Sequence, residues 1–282
     1  MTTTHPFGHI AMVWFDLDET LLDHVVASRR ALLDLREENS LWQTVPKERW
    51  LSEYQRINDA LWAKLRRDER AWDEIRLERF RILLSTFQLP ADRADWMAER
   101  YLDLYIRRTT LILGALETVG LLRERGWPLG ILTDGNRQVQ RRKVEVSGLG
   151  AFVDQVIASD DARAFKPEAR IFQYAGEAVG LEPSSLLYVG DSWENDVLGA
   201  RGAGWSAVWV NDGPTEGGLP PVAPDEEHVP DSPRRPRGVT GPASLGSRGE
   251  RPMRASSTRQ GDVGDRVVQI RRIGELPGLL PR

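Results

Sequence analysis

Cysteine is absent from the 282 residues, and histidine occurs only four times. Without a thiol there is no disulfide scaffold, no thiolate zinc site and no cysteine nucleophile. His5 and His9 stand in the N-terminal tip, and only His24 and His228 lie further along. Neither a His-rich metal centre nor a Ser–His triad is therefore expected. Charge of one sign is also missing. The 38 Lys+Arg oppose 42 Asp+Glu, for a formal net charge of −4. That balance gives no footprint for nucleic-acid binding. No apolar run approaches the roughly 20 residues that span a bilayer. Met1 to His9 lacks the basic-then-apolar order of a signal peptide. The expectation is a cytoplasmic protein without membrane or nucleic-acid partners, long enough for a sizeable core in one or two domains.

What is present falls into four zones. Ile10 to Phe15 is apolar and β-prone and runs straight into Asp16-Leu17-Asp18-Glu19-Thr20, which reads as a buried strand ending in an acidic loop. Residues 22–110 then hold few glycines and prolines. Their apolar spacing predicts four helices, one of them carrying Trp50, Tyr54, Ile57, Leu61, Trp62 and Leu65. The tryptophans here (Trp42, Trp50, Trp62, Trp72, Trp96) are expected in the core of this helical insert. From 111 to 212 strand and helix alternate. Strands are predicted at Leu129–Leu132, Val153–Ala158, Leu186–Val189 and Ala207–Val210. Helices are predicted at Leu116–Arg125, Val139–Ser147, Glu168–Val179 and Asn195–Ala203, closing near Gly126, Gly148, Gly180 and Gly204. Such alternation implies a doubly wound parallel α/β sheet with right-handed crossovers. From Asn211 to Asp265, nine prolines and nine glycines fall in 55 residues, a composition that predicts a disordered Pro/Gly/Arg-rich loop. Val267–Ile270 and Ile273–Leu280 read as ordered again. The division is thus 10–21, 111–212 and 266–282 for the α/β part, 22–110 for the helical insert and 213–265 for the loop.

Four polar clusters follow predicted strands, where an open parallel sheet binds ligands. Asp16 and Asp18, two positions apart, can both address one small substrate. Thr133-Asp134-Gly135-Asn136 combines a hydroxyl, a turn and a helix start, which is expected to cradle an anion. Lys166-Pro167 offers a point charge beside a proline suited to a first helical position. Gly190-Asp191-Ser192-Trp193-Glu194-Asn195-Asp196 adds two carboxylates. Convergence of Asp16, Asp18, Asp191 and Asp196 would demand a hard divalent cation, and Mg²⁺ suits a site shared with phosphate. Lys166 and Thr133 would then serve phosphate oxygens, as phosphoryl transfer requires.

With these residues in this order, the chain resembles the haloacid dehalogenase superfamily, in the branch whose helical cap follows the first motif. The resemblance spans about residues 10–212 and the short C-terminal segment. It implies a Rossmann-like core and a Mg²⁺-dependent phosphatase acting on a small phosphorylated metabolite, a sugar phosphate or nucleoside monophosphate. It implies Asp16 as nucleophile and Asp18 as acid/base, with the Asp18 carbonyl on Mg²⁺. Thr133, Asp134, Gly135 and Lys166 would hold the phosphoryl group, Asp191 would bind Mg²⁺, and Asp196 would bind it through water or orient Lys166. Asp18 argues for a phosphatase over a dehalogenase, because an alkoxide leaving group needs a proton. Two alternatives stand beside this reading. One is a phosphomutase or phosphonatase, the latter needing a cap lysine, for which only Lys47 and Lys64 exist. The other is a non-catalytic binding protein of the same fold. One departure is Asp134, where relatives often carry Asn; its carboxylate would either face solvent or weaken phosphate binding. His24, Arg29, Trp42 and Arg107 are the candidates for substrate selection.

Overall fold

The computed structural model describes residues 6–66, 72–211 and 267–281. Six strands form, β1 (Met12–Phe15), β2 (Leu129–Thr133), β3 (Gln155–Ala158), β4 (Leu186–Gly190), β5 (Ser206–Val210) and β6 (Val267–Ile270), and the apolar runs of β1, β2 and β4 are buried throughout. They form one sheet in the order β3-β2-β1-β4-β5-β6, every pairing parallel. Val13 stands opposite Leu129 on one side and Leu187 on the other. The strand order reverses at β1, so a crevice opens at the carboxyl ends of β1, β2 and β4.

Side-chain alternation sorts the strands onto two cores. Val13, Phe15, Ile131 and Val189 face one helical layer, and Trp14, Leu132, Tyr188 and Trp205 face the other. The fully buried central strands explain why these segments read as continuous apolar runs rather than alternating ones.

The helical insert comprises α1 (His24–Glu37), α2 (Lys47–Arg66), α3 (Trp72–Thr86) and α4 (Ala94–Arg107). Trp50, Tyr54, Ile57, Phe80, Leu83 and Tyr101 pack there in a core of their own. Chain entry and exit run side by side. Leu22 bridges Leu111 in antiparallel fashion, Ile112 N–H donates to Leu21 O at 2.9 Å, and Asp23 N–H donates to Thr110 O at 2.9 Å. The sheet is flanked by α5 (Ala115–Glu124), α6 (Arg137–Val146), the short α7 (Ser159–Ala162) and α8 (Ala169–Val179). Gly126, Gly148, Gly180 and Gly204 all take the positive φ expected where helices end. No helix among the described residues is long and apolar enough to cross a membrane.

Several expectations need correction. β1 starts two residues late, at Met12, and β3 starts at Gln155. Pro167 does not open α8: residues 165–168 form a turn closed by Glu168 N–H to Phe165 O at 2.8 Å, and the helix begins at Ala169. The helix expected from Asn195 starts at Trp193, as a wide π-helical turn over Trp193–Leu198. Trp96 is 42% exposed rather than core, and Trp62 and Trp72, partly buried against the insert's core, also line a cavity. The Pro/Gly/Arg-rich loop lies outside the described residues.

Candidate active site

Asp16 follows β1 directly, and its N–H donates to Val189 O at 2.9 Å, which pins it between β1 and β4. Lys166 reaches it from the turn before α8. The buried Lys166 Nζ lies 2.6 Å from Asp16 Oδ1, 2.7 Å from Asp196 Oδ1 and 3.0 Å from the Tyr188 hydroxyl. Burial alone would lower the Lys166 ammonium, but Asp16 and Asp196 more than reverse that, so it stays charged. Asp16 is pushed well up by burial, against the pull of Lys166 and with the help of Asp196 and Asp191.

The wide turn at Trp193–Leu198 carries Asp196 into this cluster. Ser192 N–H donates to Asp196 Oδ2 at 2.9 Å, while Ser192 Oγ accepts from Asn195 N–H. Gly190 is required beneath it, since a Cβ there would collide with the Asp196 carboxylate. Asp191 accepts from Thr20 Oγ1 at 3.1 Å, and burial, then Asp196, raise its carboxyl to about 6. Asp16, Asp191 and Asp196 each offer a carboxylate oxygen, all within 4.8 Å of one another. Three carboxylates meet one ammonium, an excess of two negative charges if all are ionised. A hard oxygen donor set with that excess fits a divalent cation.

Asp18 points elsewhere. The buried Lys143 Nζ donates to its Oδ1, and Gln140 Nε2 donates to its Oδ2 at 3.2 Å. Burial would raise Asp18, but Lys143 and then His24 reverse this and hold it below the ordinary carboxylate value. Gln140 also donates to Thr133 Oγ1 at 2.8 Å and to Asp134 O at 2.9 Å, tying the end of β2 to Asp18. Gly135 (φ 151°) allows this approach, because a Cβ there would stand 2.9 Å from Gln140. Lys143 and Gln140 were not foreseen from the sequence. Their signal is two polar residues on the buried face of α6 beside Val144.

The anion cradle expected at Thr133–Asn136 is largely occupied by the chain itself. Gly135 N–H donates to Ser159 Oγ at 2.9 Å. Asn136 Oδ1 caps α6 by accepting from Gln138 and Val139 N–H, and Asp160 accepts from Arg137 N–H. Side-chain acceptors close by have taken the free donors of the helix start. Asp134 neither faces solvent nor stands free. It accepts from Lys166 N–H at 3.0 Å and from Arg66 Nη2 of α2 at 2.7 Å. Arg66 Nη1 donates to Lys166 O at 2.8 Å, and its guanidinium stands over the Phe165 ring. Phe165 in turn packs against Trp62 and Trp72. The helical insert is thus latched to the sheet domain beside Lys166.

Between the two lies a cavity of about 470 Å³, lined by Asp18 and His24 and by Tyr54, Arg79 and Tyr105 of the insert. His24 Nδ1 is 2.6 Å from the Tyr105 hydroxyl, and burial holds the imidazole below its usual value despite Asp18. Of the candidates for selection, only His24 lies here. Arg29 is exposed, Trp42 is buried in the insert's core, and Arg107 pairs with Asp103. Lys47 and Lys64 are not on the cavity wall.

Comparison with known proteins agrees with this geometry. Residues 10–204 match the haloacid dehalogenase-like hydrolase family. The chain is 30% identical over 198 residues to pyrimidine 5'-nucleotidase PynA of Streptococcus pneumoniae, covering 70% of this chain and 82% of that protein. It is 32% identical over 222 residues to a phosphoserine phosphatase of Thermus thermophilus, covering 72% and 89%. The magnesium-bound crystal structure of the HAD-hydrolase YfnB from Bacillus subtilis superposes with a TM-score of 0.64 at 28% identity, covering 73% of this chain and 90% of that one.

Proposed function

Because the chain belongs to the haloacid dehalogenase-like hydrolases, we propose that it is a Mg²⁺-dependent phosphatase of small phosphate monoesters. The carrying observation is the buried Asp16 carboxylate at the end of β1, 2.6 Å from Lys166 Nζ and within 4.8 Å of Asp191 and Asp196 oxygens, with Asp18 on the wall of the adjoining cavity. Relatives that are a nucleotidase and a phosphoserine phosphatase support the same class of reaction.

In this reading an Asp16 oxygen attacks phosphorus as the bond to the ester oxygen breaks, and Asp18 gives that oxygen its proton. Water then attacks the phosphorus of the aspartyl-phosphate and loses a proton to Asp18, which frees Asp16 and inorganic phosphate. Lys166 balances charge on Asp16 and the phosphoryl oxygens. Thr133 Oγ1 is held by Gln140 at the same strand end. Mg²⁺ would be held by Asp16, Asp191 and Asp196 and would supply positive charge facing the phosphoryl oxygens. Asp18 enters the first step protonated and leaves it as the carboxylate, the form that the Lys143 and Gln140 contacts favour for the water step. The covering insert keeps bulk water from competing with the first transfer.

The test is p-nitrophenyl phosphate hydrolysis with and without Mg²⁺, together with acid quenching of protein given ³²P-labelled substrate. The expected result is Mg²⁺-dependent release and label trapped on the wild-type chain but not on Asp16→Asn. Undiminished hydrolysis by Asp16→Asn would overturn the assignment.

A further inference from the structure

The cavity wall carries a positive group with no counter-ion among the described residues. Arg79 of α3 has its Nη1 donating to the Tyr54 hydroxyl at 2.8 Å, and its guanidinium stands over the Tyr54 ring. Its Nε is buried and has no hydrogen-bond partner. Among the described residues no carboxylate forms an ion pair with it. Arg76, three positions earlier on α3, lines the same cavity, and its Nε is buried and unbonded too. Its ion pair is a long 3.7 Å contact to Asp73, which is 92% exposed.

The tyrosine hydroxyls of this wall are satisfied. The Tyr101 hydroxyl meets Ser28 Oγ at 2.9 Å, the Tyr105 hydroxyl meets His24, and the Tyr54 hydroxyl takes Arg79. A buried charged donor left unbonded is costly. With Nη1 on Tyr54 and Nε closed off, Nη2 carries no hydrogen bond among the described residues and is the Arg79 donor left to the cavity, a charged donor that suits a carboxylate.

Building on the phosphatase reading, we infer that the cavity selects phosphate esters whose alcohol portion carries a carboxylate, docked on the Arg79 guanidinium with Arg76 beside it. The phosphate addresses Asp16 and Lys166, and the second anion reaches into the insert. Tyr54, Tyr101 and Tyr105 wall the intervening carbon skeleton. A substrate with one anion leaves Arg79 bare, so the cavity discriminates against it.

Matched pairs test this: 3-phosphoglycerate against glycerol 3-phosphate, and O-phosphoserine against phosphoethanolamine. Fructose 1,6-bisphosphate against fructose 6-phosphate serves as the second-phosphate arm, and p-nitrophenyl phosphate reports the chemistry itself. In the wild type, the carboxylated member of at least one pair is expected to show kcat/KM higher by about tenfold or more, the worth of one charged hydrogen bond. Arg79→Gln should bring that ratio close to one, mainly through KM. Arg79→Lys, which keeps the charge but not the guanidinium, should give an intermediate ratio. Equal kcat/KM within both pairs in a wild type that turns over p-nitrophenyl phosphate overturns the inference and leaves the phosphatase reading standing. A preference confined to the bisphosphate also overturns it. No turnover of any phosphate overturns the reading beneath it. Because the wild-type ratios decide first, misfolding of an Arg79 variant does not rescue the idea.

Discussion

In the sheet domain Lys166 and Lys143 are each buried against carboxylates, Lys166 on Asp16 and Asp196, Lys143 on Asp18. Within the helical insert, Arg79 is buried against the hydroxyl and ring of Tyr54. In one region each buried cation has its carboxylate before any ligand arrives, and in the other Arg79 has none among the described residues. The difference separates two tasks. Groups that act on a phosphoryl centre must be placed in advance, because reorganising them during the reaction would raise the barrier. Groups that choose a leaving portion gain discrimination by being unsatisfied without it.

Removing the completed side should have the largest effects. Asp16→Asn is expected to lower kcat by about a thousandfold or more, as loss of a nucleophile does, with circular dichroism unchanged. Activity within a few fold of wild type would place the nucleophile elsewhere. Asp18→Asn should cost roughly 10²–10⁴ in kcat on alkyl phosphates, the range for a positioned acid/base. The loss should be smaller on p-nitrophenyl phosphate, whose leaving group needs little protonation. Equal losses on both would contradict the acid role.

The latch sits between the two regions, and its effect should be modest. Arg66→Ala removes a pair with Asp134 that is partly exposed, with side chains 36% and 15% accessible. A change of about two- to fivefold in kcat/KM is expected, the scale of such pairs. A thousandfold loss would show that Arg66 touches the reacting atoms.

The smallest expected effect is on stability. Asp191 titrates at about 6 in the folded chain against an ordinary 3.8. Between those values the folded state holds the proton and the unfolded state does not, so this group's contribution falls as pH rises through the window. Without divalent cations, Tm should therefore gain a few degrees from this group between pH 7 and pH 5. A cation at Asp16, Asp191 and Asp196 favours the ionised form, so Mg²⁺ should raise Tm more at pH 7.5 than at pH 5. Thermal unfolding in EDTA and in MgCl₂ checks this, and equal Mg²⁺ shifts at both pH values would argue against cation binding there.

The sheet domain was the more legible of the two regions. Asp16, Thr133 and Asp191 each follow a short apolar run, and burial on both faces makes such runs stand out. Lys166 was legible as a charge, but its turn was not, since Pro167 also suits a helix start. The insert's helices could be read from their spacing, but its cavity could not. Arg79 falls between Ile75 and Phe80 on α3 and looks like an ordinary surface arginine until Tyr54, 25 residues earlier, is placed beside it. Lys143 meets Asp18 across 125 positions. Such pairings arise from tertiary packing, and no local period announces them. Trp96 misled for the related reason that a tryptophan on an amphipathic helix can lie at the edge of its apolar stripe.

The paired linkers at Leu22 and Leu111 mean that the insert leaves the sheet domain and returns to it at one place. A segment whose two ends coincide can be lengthened, shortened or exchanged without re-threading the strands around it. In an evolving lineage the choice of leaving group can then change as a cassette, while the residues at the strand ends are inherited intact.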